Sequence, residues 1–105
     1  MEFDFIAELY FFKTSEGGRI SLAKSGYRPH IEFENYPEYL TTGYQIYIGQ
    51  DTVEPGETIK AKIKIVSVEY FSGKLFKDIK FKFCEGPNII GTGIILEISN
   101  KNLEL

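Results

Sequence analysis

The sequence predicts an all-β domain, a six-stranded antiparallel closed β-barrel. Three observations lead there. Apolar residues recur at every second position in six separate runs, and each run is bounded by Gly, Pro or Asn. No stretch carries a convincing helical pattern. The aromatic content is 15%, all Tyr and Phe without Trp, a composition suited to pleated, half-buried surfaces. In a barrel, alternating inward side chains fill the interior and closure removes the strand edges.

The first strand spans residues 3–12. Phe3, Phe5, Ala7, Leu9 and Phe11 take one side, and Asp4, Ile6, Glu8, Tyr10 and Phe12 take the other. Thr14-Ser15-Glu16-Gly17-Gly18 breaks the alternation as a loop. After Gly26-Tyr27-Arg28, Pro29 marks a strand start or an edge because it cannot donate to a ladder. Alternation then resumes from His30 to Glu34. Residues 35–43 are turn-like, with Asn35, Pro37 and Gly43. Tyr44, Ile46 and Ile48 alternate with Gln45, Tyr47 and Gly49 as the third strand.

Val53-Glu54-Pro55-Gly56-Glu57 is a turn in which Pro presets φ and Gly accepts the next position. Residues 58–68 form the clearest strand, with Ile59, Ala61, Ile63, Ile65 and Ser67 against Lys60, Lys62 and Lys64, then Val66 and Val68. Residues 70–78 are a polar and aromatic connection. Ile79, Phe81 and Phe83 alternate with Lys80, Lys82 and Cys84 in the fifth strand. Glu85-Gly86-Pro87-Asn88 is a tight turn, and Ile89 to Ile98 is the sixth strand. In it Gly91 and Gly93 mark a bend or crowded packing, and no helix follows them to make a phosphate loop. The expected division is a barrel over 1–98 and a loose polar tail over 99–105.

A length of 105 residues suits one domain, and 43% hydrophobic residues suffice for a core without cross-links. Fifteen acidic residues against twelve basic ones argue against a nucleic-acid binder by bulk charge. The single cysteine, Cys84, excludes an internal disulfide and fits a reducing cytoplasm, the expected location. Met1-Glu2-Phe3-Asp4 is acidic with no long apolar run, so no signal peptide is expected. No run approaches the roughly 20 apolar residues of a membrane span. The residues offer no paired nucleophile and base, no metal set and no cofactor loop. A non-catalytic protein without metal or cofactor is the expectation.

The turn residues carry a resemblance. Glu16-Gly17-Gly18-Arg19, Gly26-Tyr27-Arg28-Pro29, Pro55-Gly56, Glu85-Gly86 and Gly91-Thr92-Gly93 follow one another in an order that resembles the C-terminal β-barrel of the elongation factor Tu family, over about residues 3–98. The resemblance implies binding roles. In that family the barrel packs on the GTPase domain, contacts the T stem of aminoacyl-tRNA and meets the exchange factor. There are departures. The chain has no Gly-x-x-x-x-Gly-Lys-Ser/Thr loop for nucleotide phosphates, and Asn100-Lys101-Asn102-Leu103 lacks the acid of a guanine-reading motif. Asn35-Tyr36-Pro37-Glu38-Tyr39 replaces the family's Thr-rich tRNA-contacting loop. Cys84 replaces an Arg, Pro87-Asn88 a Gly-Arg pair, and His30 a Gln. Two lost cations and a changed loop argue against tRNA binding.

The candidate binding residues are Arg19, Arg28, His30, Glu85, Gly86, Lys60, Lys62 and Lys64. Arg19 and Arg28 match family positions in and beside the contact surface, and guanidinium forks suit phosphate; pairing with carboxylates or packing on Tyr27 is the plainer role. Lys60, Lys62 and Lys64, joined by Lys80 and Lys82, would make a basic stripe for a nucleic-acid backbone or a soluble exterior that discourages edge pairing. His30 with Glu32 and Glu34 shares a strand face, which is more often simply solvated. Glu85-Gly86 matches the family's tRNA-facing turn, though turn geometry alone accounts for it. Cys84 is expected to be inert. Tyr36, Tyr39, Tyr44, Tyr47, Tyr70 and Phe71 are many aromatics for loops and strand exteriors; some must be core, and an exposed cluster among them would mark a protein-binding patch. Three readings stay open: a module binding a protein of the translation apparatus, a tRNA- or RNA-binding module, and an elongation factor mimic or immunity-type protein that sequesters a partner.

Overall fold

The computed structural model describes residues 3–105; Met1 and Glu2, the start of the expected acidic N-terminus and of the 1–98 stretch, lie outside them. Among the described residues eight strands form: β1 (Phe5–Phe11), β2 (Ala23–Lys24), β3 (His30–Phe33), β4 (Thr41–Tyr47), β5 (Thr52–Val53), β6 (Thr58–Ile65), β7 (Lys80–Glu85) and β8 (Asn88–Ile98). Six of them close a barrel in the order β1-β6-β4-β3-β7-β8 with antiparallel neighbours throughout, as the alternation predicts. The short β2 and β5 pair separately as a two-stranded ribbon.

The contrast between apolar and charged residues sets the faces of β1, β6 and β7. Phe5, Ala7, Leu9 and Phe11 of β1 are buried. Ile59, Ala61, Ile63 and Ile65 of β6 are also buried, while Lys60, Lys62 and Lys64 are exposed. Inside, Phe11 and Phe83 meet edge to face at 4.9 Å between centroids, and Phe33 meets Phe71 at 5.0 Å, geometries that favour the ring quadrupoles. These rings need room, and the facing strand supplies it. Gly91 lies opposite Phe83 and Gly93 opposite Phe81. A Cβ on Gly91 would fall 2.4 Å from the Phe83 ring, and one on Gly93 2.3 Å from the Phe81 ring. Crowded packing is therefore the reason for both glycines.

Two expectations need correction. Gly43, read as part of a turn over 35–43, lies within β4 with Thr41 and Thr42. A Cβ there would sit 2.1 Å from Ile31 Cδ1, so the residue is small because β3 packs against it, and turning has no part in it. Within β4 the buried positions are Thr41, Gly43, Gln45 and Tyr47, leaving Tyr44 and Ile46 half-buried and Ile48 exposed on the outside. The Tyr47 hydroxyl donates to Gln45 Oε1 at 2.9 Å, which satisfies that oxygen in the interior, while Gln45 Nε2 is buried with no partner among the described residues.

The stretch 99–105, expected to be loose, instead caps one end of the barrel together with residues 71–76. Leu103, Phe71 and Leu75 are each fully buried. The Leu75 amide donates to the Leu103 carbonyl and the Leu105 amide to the Leu75 carbonyl, both at 2.8 Å. Buried Asp4 ties chain start to chain end: its carboxylate accepts from the Ile65 amide at 2.8 Å and from Asn100 Nδ2 at 3.0 Å.

Candidate functional site

Ring order decides which candidate residues can act together. In a six-stranded ring, β6 and β7 are three steps apart either way round, so they lie on opposite sides of the barrel. Lys80 and Lys82 of β7 thus do not extend the row of Lys60, Lys62 and Lys64 on β6, and the single five-lysine stripe does not form. Lys80 and Lys82 instead border a groove of about 620 Å³ together with Glu8, Glu32 and Glu34. Lys82 there faces Glu32 across the ladder.

The candidates fall into two groups. The first gathers at the β7–β8 turn. Glu16 closes the loop after β1, accepting from the Lys13 amide at 2.8 Å and the Tyr10 hydroxyl at 2.7 Å. Those bonds, the backbone one foremost, hold the Glu16 carboxyl below its ordinary pKa. Gly17 follows at φ +95°, and Gly18 passes so close to Phe12 that a Cβ would meet its carbonyl oxygen at 2.1 Å. The loop thereby directs Arg19 across to Glu85, with which it forms a charged hydrogen bond. Arg19 also stacks over Tyr27 at 4.8 Å and donates to the carbonyls of Ser21 and Leu22, each at 3.2 Å. The Tyr27 hydroxyl donates a hydrogen bond to the same Glu85 oxygen.

Burial, then the Glu85 bond, push the Tyr27 phenol far above its ordinary pKa. For Arg19, burial works against the charge, but the bonds to Tyr27 and Glu85 outweigh it and raise its pKa. Gly86, at φ +56°, begins the two-residue turn between the paired Glu85 and Asn88, with Pro87 second; the positive φ at the first position is what calls for glycine there. Arg19, Tyr27, Glu85 and Gly86 thus lock the turn to the loop. The guanidinium fork already has partners.

The second group lies on the outer face of β6 and its neighbours. Lys60 faces Glu8 of β1; Lys62 faces Ile6 of β1 and Ile46 of β4; Lys64 faces Tyr44. Lys62 Nζ also lies 5.1 Å from the centre of the Phe3 ring. Arg28 joins this side by stacking over Tyr44 at 5.0 Å, its Nη1 donating to the Tyr44 hydroxyl at 3.0 Å. Tyr44 and the flanking isoleucines carry this surface with the cations. Sequence reasoning named Tyr44 among the surplus aromatics but missed the isoleucines, because the apolar side of β4 is the one that faces outward.

His30 is exposed between Thr42 and Cys84 on the neighbouring strands and joins neither group. The Cys84 thiol is half-buried; burial and then Glu32 raise its pKa, with Lys82 opposing. Among the described residues no set of His, Cys, Asp and Glu is arranged to hold a metal ion. No helix among them is long and apolar enough to cross a membrane. Of the surplus aromatics, Phe71 and Tyr47 are core. Tyr39 and Tyr70 stack on each other at 3.7 Å beneath Lys74, whose Nζ is 4.0 Å from the Tyr70 ring centre. Tyr36 donates to the Lys74 carbonyl at 2.7 Å. The replaced loop over 35–39 is thus spent on capping the barrel end.

No family model matches the chain. The chain is similar to the chloroplastic elongation factor Tu of Coleochaete orbicularis, with 38% identity over 100 residues, covering 90% of this chain and 22% of the relative. The matched part is the C-terminal part of that protein, and the chain spans about a fifth of the relative's length.

Proposed function

From the premise that this chain is a translation-factor-like barrel related to the C-terminal domain of elongation factor Tu, we propose that it is a non-catalytic module that binds a protein of the translation apparatus. One observation carries the reading. The family-type turn residues Arg19, Tyr27, Glu85 and Gly86 are engaged with one another, and the replaced loop over 35–39 is folded into the barrel cap. The β7–β8 turn, where the resemblance would place a tRNA contact, therefore keeps its framework while its guanidinium is already paired, and the 35–39 loop lies at the opposite end of the barrel. The cations left over, Lys60, Lys62, Lys64 and Arg28, sit among apolar side chains, a mixture that suits a protein surface. In this proposal the chain acts in the cytoplasm, where a lone unpaired thiol is at home, and uses no nucleotide, metal or cofactor.

The resemblance supports tRNA or another RNA as the second reading, with the β6 lysines as its contacts. A sequestering mimic of the elongation factor is the third. Tagged chain incubated with source-cell lysate, split into nuclease-treated and untreated halves, separates them. A protein that stays bound after nuclease treatment supports the proposal. Recovery of RNA alone, or loss of all protein with the RNA, overturns it. Competition of the barrel with intact elongation factor for the captured protein would mark the mimic.

A further inference from the structure

The lysine row on β6 is physically unusual in its surroundings. Lys60, Lys62 and Lys64 point outward from one strand at every second residue, which spaces them roughly 7 Å apart. Like charges at that spacing repel, and an ordinary solvated face would interleave acids with them. Among the described residues the acids beside the row are Glu8, which faces Lys60, and buried Asp4 at the Lys64 end, whose carboxylate is already taken by the Ile65 amide and Asn100. The rest of the flanks are apolar: Ile6 and Ile46 face Lys62, and Ile48 follows them at 41% exposure. Val66, 65% exposed, continues the row past Lys64. Among the described residues none of the three lysines has an ion-pair partner. Scattered exposed apolar residues need no explanation, but a patch of them in line with unpaired like charges does.

Three physical points narrow the occupant. Opposite charge is required, so the partner is acidic along one line. A nucleic-acid backbone would satisfy the lysines but offer nothing to Ile46, Ile48 and Val66. The barrel is closed, so β1, β6 and β4 have no free edge and cannot accept an added strand; the partner must bring its own backbone hydrogen bonds. A helix does so. Acidic residues at every fourth position of a helix rise roughly 6 Å apart, close to the lysine spacing, and apolar residues three positions away flank them. We propose that the outer face of β1, β6 and β4 docks an amphipathic helix whose acidic stripe lies along Lys60, Lys62 and Lys64 and whose apolar flanks cover Ile46, Ile48 and Val66. The inference rests on the protein-binding reading and specifies its surface and partner chemistry.

The test uses the full chain with the protein retained after nuclease treatment. A zero-length carbodiimide joins lysine Nζ to carboxylates in contact, and peptide mass spectrometry locates the joints. The expected result is coupling of Lys60, Lys62 or Lys64 to acidic residues four positions apart in one helix. Capture should fall about tenfold or more for the pair Lys62→Glu with Lys64→Glu, and likewise for Ile48→Glu. It should be unchanged for Lys82→Glu on the opposite side. All these positions are at the surface, and thermal unfolding verifies that each variant folds. Couplings only from elsewhere on the barrel, or undiminished capture by the β6 variants, would overturn the helix proposal and leave the protein-binding reading standing. Absence of any nuclease-resistant partner would overturn that reading itself.

Discussion

Two leucines near the C-terminus, two residues apart, should respond in opposite ways to the same substitution. Leu103 is fully buried against the barrel end, whereas Leu105 is 78% exposed. Leu103→Ala removes buried methyl and methylene groups and leaves a cavity beside Phe71 and Leu75, which a capped barrel end can collapse only in part. Buried leucine truncations of this kind cost about 2–5 kcal/mol. At roughly 4 °C per kcal/mol, the lower end for a domain of this size, the midpoint should drop by about 8–20 °C. Leu105→Ala should stay within about 0.5 kcal/mol of the parent. Thermal melts and urea titrations followed by circular dichroism measure both, and an unchanged urea slope would show that the same cooperative unit unfolds. If Leu103→Ala were as silent as Leu105→Ala, the last seven residues would be the loose tail that their polarity suggests, and the cap described here would be wrong.

Gly93→Ala should destabilise by about 1–3 kcal/mol through overpacking against Phe81, and Phe81→Leu in the same chain should recover part of that loss, measured by denaturant unfolding. Tyr27 and Tyr47 have raised folded pKa values, Tyr47 through burial; the stability they contribute is full below the ordinary phenol range and is lost as pH rises through the folded values. Ultraviolet titration should therefore find these phenols ionising after the exposed ones, with Glu85→Gln lowering the Tyr27 transition; simultaneous ionisation of all tyrosines in the folded chain would contradict this. Cys84, its pKa raised, should alkylate more slowly near neutral pH than a free thiol and catch up only in alkali; a rate matching a free cysteine would place the thiol in open solvent.

Sequence alternation gave the strand faces wherever the two sides differ in chemistry. In β6, isoleucines and an alanine alternate with lysines, so only one side can enter a core. In β4 the buried side, Thr41, Gly43, Gln45 and Tyr47, is no more apolar than the outer side, Thr42, Tyr44 and Ile46, and the choice is made by space: Ile31 leaves room only for glycine at position 43, which turns Gln45 and Tyr47 inward. Which lysines share a face depended on ring order, a nonlocal property that no local pattern encodes. The cap was hidden because five of the seven residues beyond Ile98 are polar and only Leu103 buries its side chain, while the backbone and Asn100 bonds that hold the segment leave no sequence pattern. The two-residue strands β2 and β5 are too short for periodicity to register. The site was legible in part. Turn residues pointed to Arg19, Glu85 and Gly86, but the mutual pairing that occupies them is visible only in three dimensions.

The central claim is that this barrel surface is built to meet protein and not a phosphate backbone. The most direct measurement is the affinity of the purified chain for labelled tRNA by fluorescence anisotropy, repeated as salt rises from about 50 to 200 mM, a range over which six to ten phosphate contacts would cost roughly 10³–10⁵ in affinity. The expected result is no saturable binding near physiological salt and no steep dependence to lose. Saturable binding that falls along that slope, and that Lys62→Glu with Lys64→Glu abolishes, would contradict the claim and make the lysine row an RNA contact.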